Sequence, residues 1–325
     1  MIARRTMLLS TLGCMAPFAA RAQAPARPAL VGYISVGTRE PSFERAFLDG
    51  LRESGLVAGR DVEVELHYAG GDIAGVRPIA EALIARRASV IVTGASIGAR
   101  IVNGLTADIP IVFAADFDPV GSGLVASLAR PGGNITGFSL QSTELDVKRV
   151  EMLREIVPGM RRIGVMFNPT SDSYATRRGP IIAQAAGVLG LTLVELPVRD
   201  AAGLDEAFAA AVREGAGGVL VLRNFAIEAA YARIVELAAR HRLPAIYEQR
   251  VFVEAGGLLS HGPDIADLHR RAARYVARIL RGAKPADLPV EQAETFRLVI
   301  NLKTARALGI AIPPALLVRA DEVIE

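Results

Sequence analysis

The sequence predicts an α/β protein built as two similar lobes, and three observations predict it. Apolar runs of strand length alternate with amphipathic helical stretches through 325 residues, a chain long enough for two cores, since single cores stop growing near roughly 250 to 300 residues. The order of elements also comes round twice. Val31-Gly32 recurs as Ile163-Gly164 at an offset of 132, Val64 as Leu193 at 129, Val90 as Val219 at 129, and Pro110 as Pro244 at 134. Finally, Ile109 to Gly137 reads as strand, turn, helix and strand, the unit of a parallel sheet. In open sheets of that kind ligands collect outside the carboxyl ends of the strands, which puts Ala115 to Asp118 at a candidate site mouth.

Taken in order, Leu30 to Ser35 is strand-like, and Phe43, Phe47 and Leu51 mark one face of a helix that stops at Gly55. Val62, Val64 and Leu66 alternate with charges, as a strand with one drier face does. Asp72 is placed to cap a helix carrying Ile73, Val76, Ile79 and Leu83. Val90 to Thr93 is a buried strand and Ser96 to Leu105 a helix. Pro110 to Ala114 is the next strand, and Asp118 is placed to cap a short helix opening at Pro119, because a carboxylate accepts free amides and proline has none to lose. Arg130-Pro131-Gly132-Gly133 ends that helix. After a helix over Leu145 to Val157 the second copy begins. Gly257 to Ser260 is its last short strand, and Asp264 opens a helix with Ile265, Leu268, Ala272, Val276 and Ile279 facing inward and Gly282 at its close. Pro285 and Pro289 mark a linker before a strand over Arg297 to Asn301. The expected lobes are 29–138 plus 263–288 and 139–262 plus 289–325. About three hinge crossings, near 136–142, 260–264 and 289–295, suit closure around a ligand.

Residues 1–22 read as an export signal. Arg4-Arg5 precede an apolar run from Met7 to Ala20, Ala20-Arg21-Ala22 fits a cleavage site, and the paired arginines suit the twin-arginine route. The alternative is a lipid anchor on Cys14, from Thr11-Leu12-Gly13-Cys14. The segment holds three arginines and no acid, so its removal takes the 37 basic residues to 34, equal to the 34 acidic ones. A neutral mature protein has no overall pull toward nucleic acid or anionic membrane. It also has no cysteine, and hence neither disulfides nor thiol chemistry.

Several motifs offer chemistry. Gly94-Ala95-Ser96-Ile97-Gly98 spells G-x-S-x-G after a strand and before a helix, the setting of a serine-hydrolase nucleophile. At that helix start, Thr93 and Ser96 are equally placed to cap amides or to hold a ligand carboxylate. Gly121-Ser122-Gly123-Leu124-Val125-Ala126 spells a dinucleotide-binding pattern, but it follows the fourth strand and lacks a ribose-binding acid, so close packing is the better account. His67, His241, His261 and His269 show no metal-ligand spacing; His241 and His269 read as solvated helix positions and His261 as a hinge residue. What remains is a set of polar residues at predicted strand ends. The first lobe offers Ser35, Thr38, Thr93, Ser96 and Asp116; the second offers Asn168, Arg223, Asn224, Tyr247, Glu248 and Ser260. With Phe117, Phe167 and Phe225 among them, they describe a site for a small molecule, needing no metal or cofactor. Each is also a plausible turn former. Asp116 and Arg223 favour a zwitterionic or acidic ligand, or else pair with each other across a closed cleft.

Asp118-Pro119, the run Val120 to Gly137, Val253-Glu-Ala-Gly-Gly-Leu258, Val299-Ile-Asn-Leu-Lys-Thr-Ala305 and the ending Arg319 to Glu325 together resemble ABC-transporter substrate-binding proteins of the tryptophan/tyrosine-binding lineage. The resemblance implies a type I periplasmic-binding-protein fold: two Rossmann-like lobes, three crossings, a ligand between the lobes and no catalysis. It further implies a periplasmic monomer serving a membrane permease and ATPase. In members that bind aromatic amino acids, first-lobe hydroxyls and amides hold the carboxylate, the positions of Thr93 and Ser96. An acidic or amide group of the second lobe helps hold the amino group, the positions of Asn168 and Asn224. Asp116, Phe117 and Arg223 depart from the small or neutral residues frequent there. A periplasmic sensor is the alternative function, and a hydrolase using Ser96 a remote one.

Cleavage after Ala22 is expected, and mass spectrometry of the exported protein checks it. A retained leader refutes the signal, and a lipid on Cys14 establishes the anchor.

Overall fold

The computed structural model describes residues 28–140, 142–170, 174–223 and 230–325. Five parallel strands, β1 (Ala29–Ser35), β2 (Val62–Tyr68), β3 (Val90–Thr93), β4 (Ile111–Asp116) and β5 (Ile135–Ser139), form the first sheet. The second is built from β6 (Arg162–Phe167), β7 (Thr192–Pro197), β8 (Gly218–Val221), β9 (Ala245–Tyr247) and β10 (Leu259–Pro263). Three later strands, β11 (Glu291–Gln292), β12 (Phe296–Asn301) and β13 (Glu322–Ile324), complete the edges. The orders are β2-β1-β3-β4-β5-β11 and β7-β6-β8-β9-β10-β12-β13. The repeat in the sequence is thus a repeat in topology: Val31 faces Val64 across β1 and β2 as Ile163 faces Leu193 across β6 and β7.

Each sheet is covered on both faces, which is why its central strands are continuous apolar runs. In the first, Val90 and Val92 point to one core, with Phe47, Leu268 and Val276, while Ile91 points to the other with Val76, Leu83 and Val102. The Ile265–Leu280 helix carries all five residues expected to face inward into the first of these cores. Asp264 caps it, its Oδ1 accepting from the Asp267 amide at 3.1 Å, and Gly282 stops it at φ +101°. The helix therefore belongs with the first sheet although its chain arrives from the second.

Three local expectations are corrected. No helix forms after Asp118; residues 119–123 are turns and 124–126 a bend. The Asp118 side chain caps a single turn, Oδ1 accepting from the Gly121 amide at 2.9 Å, and Gly123 at φ +70° then diverts the chain so that Leu124 and Val125 reach the core. The glycine pattern serves this turn: a Cβ on Gly121 would stand 2.0 Å from Asp118 Oδ2. β10 runs on to Pro263 because it pairs antiparallel with β12, which puts His261 inside a sheet. Glu291–Gln292 pairs with β5 and the Ala293 amide donates to the Ser139 carbonyl at 2.8 Å, so 291–293 stays with the first sheet rather than the second. Among the described residues no helix is long and apolar enough to cross a membrane.

The helix Pro41–Glu53 packs on Ile265–Leu280 at a glycine. A Cβ on Gly50 would lie 2.3 Å from the Arg270 carbonyl oxygen and 2.9 Å from Ala273 Cβ. Gly50→Ala should therefore cost about 2 to 3 kcal/mol by forcing two helices apart. Gly187→Ala, in an open helical position with nothing within 4 Å, should stabilise by about 0.5 to 1 kcal/mol. Urea unfolding of the two variants measures the contrast.

Candidate functional site

The carboxyl ends of β3 and β4 bring Thr93, Ser96 and Asp116 together in the first lobe. Thr93 and Asp116 are buried and Ser96 half-buried. The Ser96–Asn103 helix has Ala95 at its N-cap and no side-chain cap, so neither hydroxyl caps it and its first amides remain available to an anion. Asp116 Oδ1 accepts from the Asp118 amide at 2.7 Å. Asp116 Oδ2 and Thr93 Oγ1 have no hydrogen-bond partner among the described residues. Burial pushes the Asp116 carboxyl up to about 6, against the Asp118 amide, Arg100 and the Ser96 hydroxyl, which favour its charged form. Ser35 ends β1 half-buried, and Thr38 is exposed beyond it.

His269 joins this group, and sequence reasoning missed it. It is 1% exposed rather than solvated, because its ring stacks on Phe43 at 4.7 Å and tilts against Tyr33 at 5.9 Å. Nδ1 donates to the Ile265 carbonyl at 2.8 Å, and Nε2 has no partner among the described residues. Ser96 is therefore not hydrogen-bonded to this imidazole, the pairing that a serine nucleophile needs.

The second lobe faces these groups with a wall of buried charge. Asp146 Oδ1 accepts from Arg149 Nη1 and Arg178 Nη2, and Oδ2 from Arg178 Nε, all at 2.7 Å. Glu248 Oε1 accepts from Arg178 Nη2 at 2.5 Å and from the Arg223 amide at 2.8 Å. Burial opposes the Glu248 charge, but Arg178 and Arg149 prevail and hold its carboxyl down to about 2. Glu248 thus serves the protein's own cations. Asn168 Oδ1 accepts from the Thr170 amide and hydroxyl at 2.9 and 2.8 Å, forming a turn. Tyr247 stacks on Phe252 in a second-lobe core, and Ser260 is buried within β10. Asn224 and Phe225 lie outside the described residues. The lobes meet at Phe117: the Arg178 and Arg223 guanidinium carbons lie 5.6 and 5.5 Å from its ring centroid, and Arg177 Nη1 is 2.7 Å from Asp118 Oδ1. Arg223 thus sits at Phe117 and Glu248, whereas Asp116 is held by the Asp118 amide.

Two histidines give the fold an acid sensitivity. Burial, with the Arg223 charge, holds His269 down to about 4, against the Ile265 carbonyl, which favours the protonated ring. Burial, with Arg149, Lys148 and Arg319, does the same to His261. In the unfolded chain both protonate near 6.5, so their stabilising contribution is complete above that pH and is lost as pH falls toward 4. Asp116 runs the other way: its contribution is present below 3.8 and lost as pH rises through about 6. Two groups outweigh one, so stability should fall by about 3 kcal/mol between pH 6.5 and 4. Urea unfolding across that range should show the loss, with a shallower slope in His269→Asn; a level or rising stability contradicts the assignment.

Comparison with known proteins gives this geometry its family. Residues 40–324 match the family described as ABC transporter substrate binding protein. A tyrosine-binding protein of Clostridioides difficile is 27% identical over 279 residues, 85% of this chain and 79% of that protein. A conserved domain protein from Vibrio cholerae superposes with a TM-score of 0.83 at 31% identity, covering 91% of this chain and all of that one. A Streptococcus pneumoniae ABC domain in complex with L-Trp gives 0.82 at 28% identity over the same 91%, again matching that whole chain. At 12% identity, a leucine binding protein from Thermotoga maritima still gives 0.57 over 78% of this chain and 83% of its own, a likeness of fold alone and of the type I periplasmic-binding kind. With the family match running over residues 40–324, the chain belongs to the ABC transporter substrate-binding protein family.

Proposed function

We propose that this protein is the exported receptor of an ABC importer, closing lobes 29–138 plus 263–293 and 139–262 plus 294–325 on an amino acid. In this reading it works as a monomer in the periplasm and delivers its ligand to a membrane permease. The observation that carries the ligand class is the set of buried polar atoms on the first lobe that have no partner among the described residues, Thr93 Oγ1, Asp116 Oδ2 and His269 Nε2. Each such atom costs on the order of 1 to 3 kcal/mol unless a partner meets it. An ammonium group answers Asp116, and a carboxylate answers the uncapped amides at Ser96 with the Arg223 charge opposite. The tyrosine-binding and L-Trp-bound relatives make an aromatic amino acid the first ligand to try.

Calorimetric titration with L-tyrosine and L-tryptophan tests this. Asp116→Asn and Arg223→Ala should each weaken binding by about 2 to 3 kcal/mol; unchanged affinity in both removes both from the site. Because an ammonium needs the charged carboxylate, affinity should be level above pH 7. It should fall about tenfold per unit below pH 6, as Asp116 takes up its proton.

A further inference from the structure

Gly94 follows β3 and needs its lack of a side chain for no reason of backbone. Its φ lies outside the left-handed range, and a Cβ there would meet no atom closer than 3.7 Å. The two nearest atoms to that position are both polar, Tyr33 Oη at 3.7 Å and His269 Nε2 at 3.8 Å. Glycine thus sets no side chain against these two atoms, where a methyl would come into van der Waals contact with both. The carbonyl of Ile265 accepts only, so Nδ1 carries the imidazole proton and Nε2 presents a bare lone pair. Stacking on Phe43 fixes the direction of that lone pair. The surroundings are aromatic, with Tyr33, Phe43 and Phe117 in or against one cluster, and suit the ring end of a ligand.

We propose that His269 Nε2 is the acceptor by which this protein selects, among aromatic amino acids, those whose ring carries an N–H or O–H donor. Asp116 and the amides at Ser96 hold the amino acid end, and His269 reads the far end across Gly94. A ring without a donor seals a buried acceptor from any partner, so discrimination comes mainly from rejecting that ring. The inference rests on the amino-acid ligand proposed above.

The test uses two pairs of ligands that differ at the donor, L-tyrosine against L-phenylalanine and L-tryptophan against 3-benzothienyl-L-alanine, in calorimetric titration. At least one donor-bearing ligand should bind about tenfold or more tighter than its counterpart, and His269→Phe should bring that ratio within about twofold. Gly94→Ala, whose methyl the fold can take, should shrink the same ratio by filling the space before Nε2. In the unaltered protein, the nitrogen-15 resonance of His269 Nε2 should move on saturation with the tighter ligand. Ratios near one in the wild type, a ratio unchanged in His269→Phe, or an Nε2 signal that stays still under saturation overturns the assignment while leaving an amino-acid receptor in place. Failure of all four ligands to bind overturns the amino-acid reading and this inference together.

Discussion

Four buried charges, Asp146, Arg149, Arg178 and Glu248, hold in place the side of the second lobe that meets Phe117. Their sum is zero, and they come from the Ser142–Ile156 helix, the Tyr174–Arg178 turn and the end of β9. Arg149 Nε also donates to the His261 carbonyl in β10 at 2.6 Å, and Glu248 accepts the Arg223 amide after β8. The helix, the turn and the strands β8, β9 and β10 are thereby tied to one cluster. Replacing a single member strands an opposite charge in a dry interior, a penalty of roughly 3 to 5 kcal/mol. Such a cluster suits rigidity more than stability, since apolar side chains of equal volume fill the same space at less cost.

The two lobes share a topology and meet at Phe117, on which Arg178 and Arg223 lean. Each keeps buried polar atoms unmet among the described residues: Thr93 Oγ1, Asp116 Oδ2 and His269 Nε2 on the first, Arg149 Nη2, Tyr247 Oη and His261 Nδ1 on the second.

The succession of strands and helices, its repeat, the buried strands and the cap at Asp264 were legible because each follows from a local pattern: continuous apolar runs, landmarks near 130 residues apart, an acid ahead of an amphipathic helix. The turn after Asp118 was misread because proline and an acid begin a single capped turn as readily as a helix, and only Gly123 at positive φ decides between them. His269 looked solvated because its neighbours Arg270 and Arg271 are charged, while the ring that covers it, Phe43, lies 226 residues away in the chain. The charge cluster left a readable trace. Asp146 and Arg149 sit at helical spacing from Val150 and Leu153, so two charges occupy the stripe that packs on the sheet. A charged residue at a core-facing position asks where its partner is. Here the answer came from the Tyr174–Arg178 turn, whose irregular geometry no periodicity encodes.

The contact between Arg177 and Asp118 bears on how such a protein lets go. Its arginine side chain is 45% exposed, and ion pairs on a wet rim contribute about 0 to 1 kcal/mol. A clasp that weak moves an open-to-closed ratio by only a fewfold at most, and dissolved salt erodes it further. Shut lobes must then owe most of their lifetime to whatever bridges them from inside.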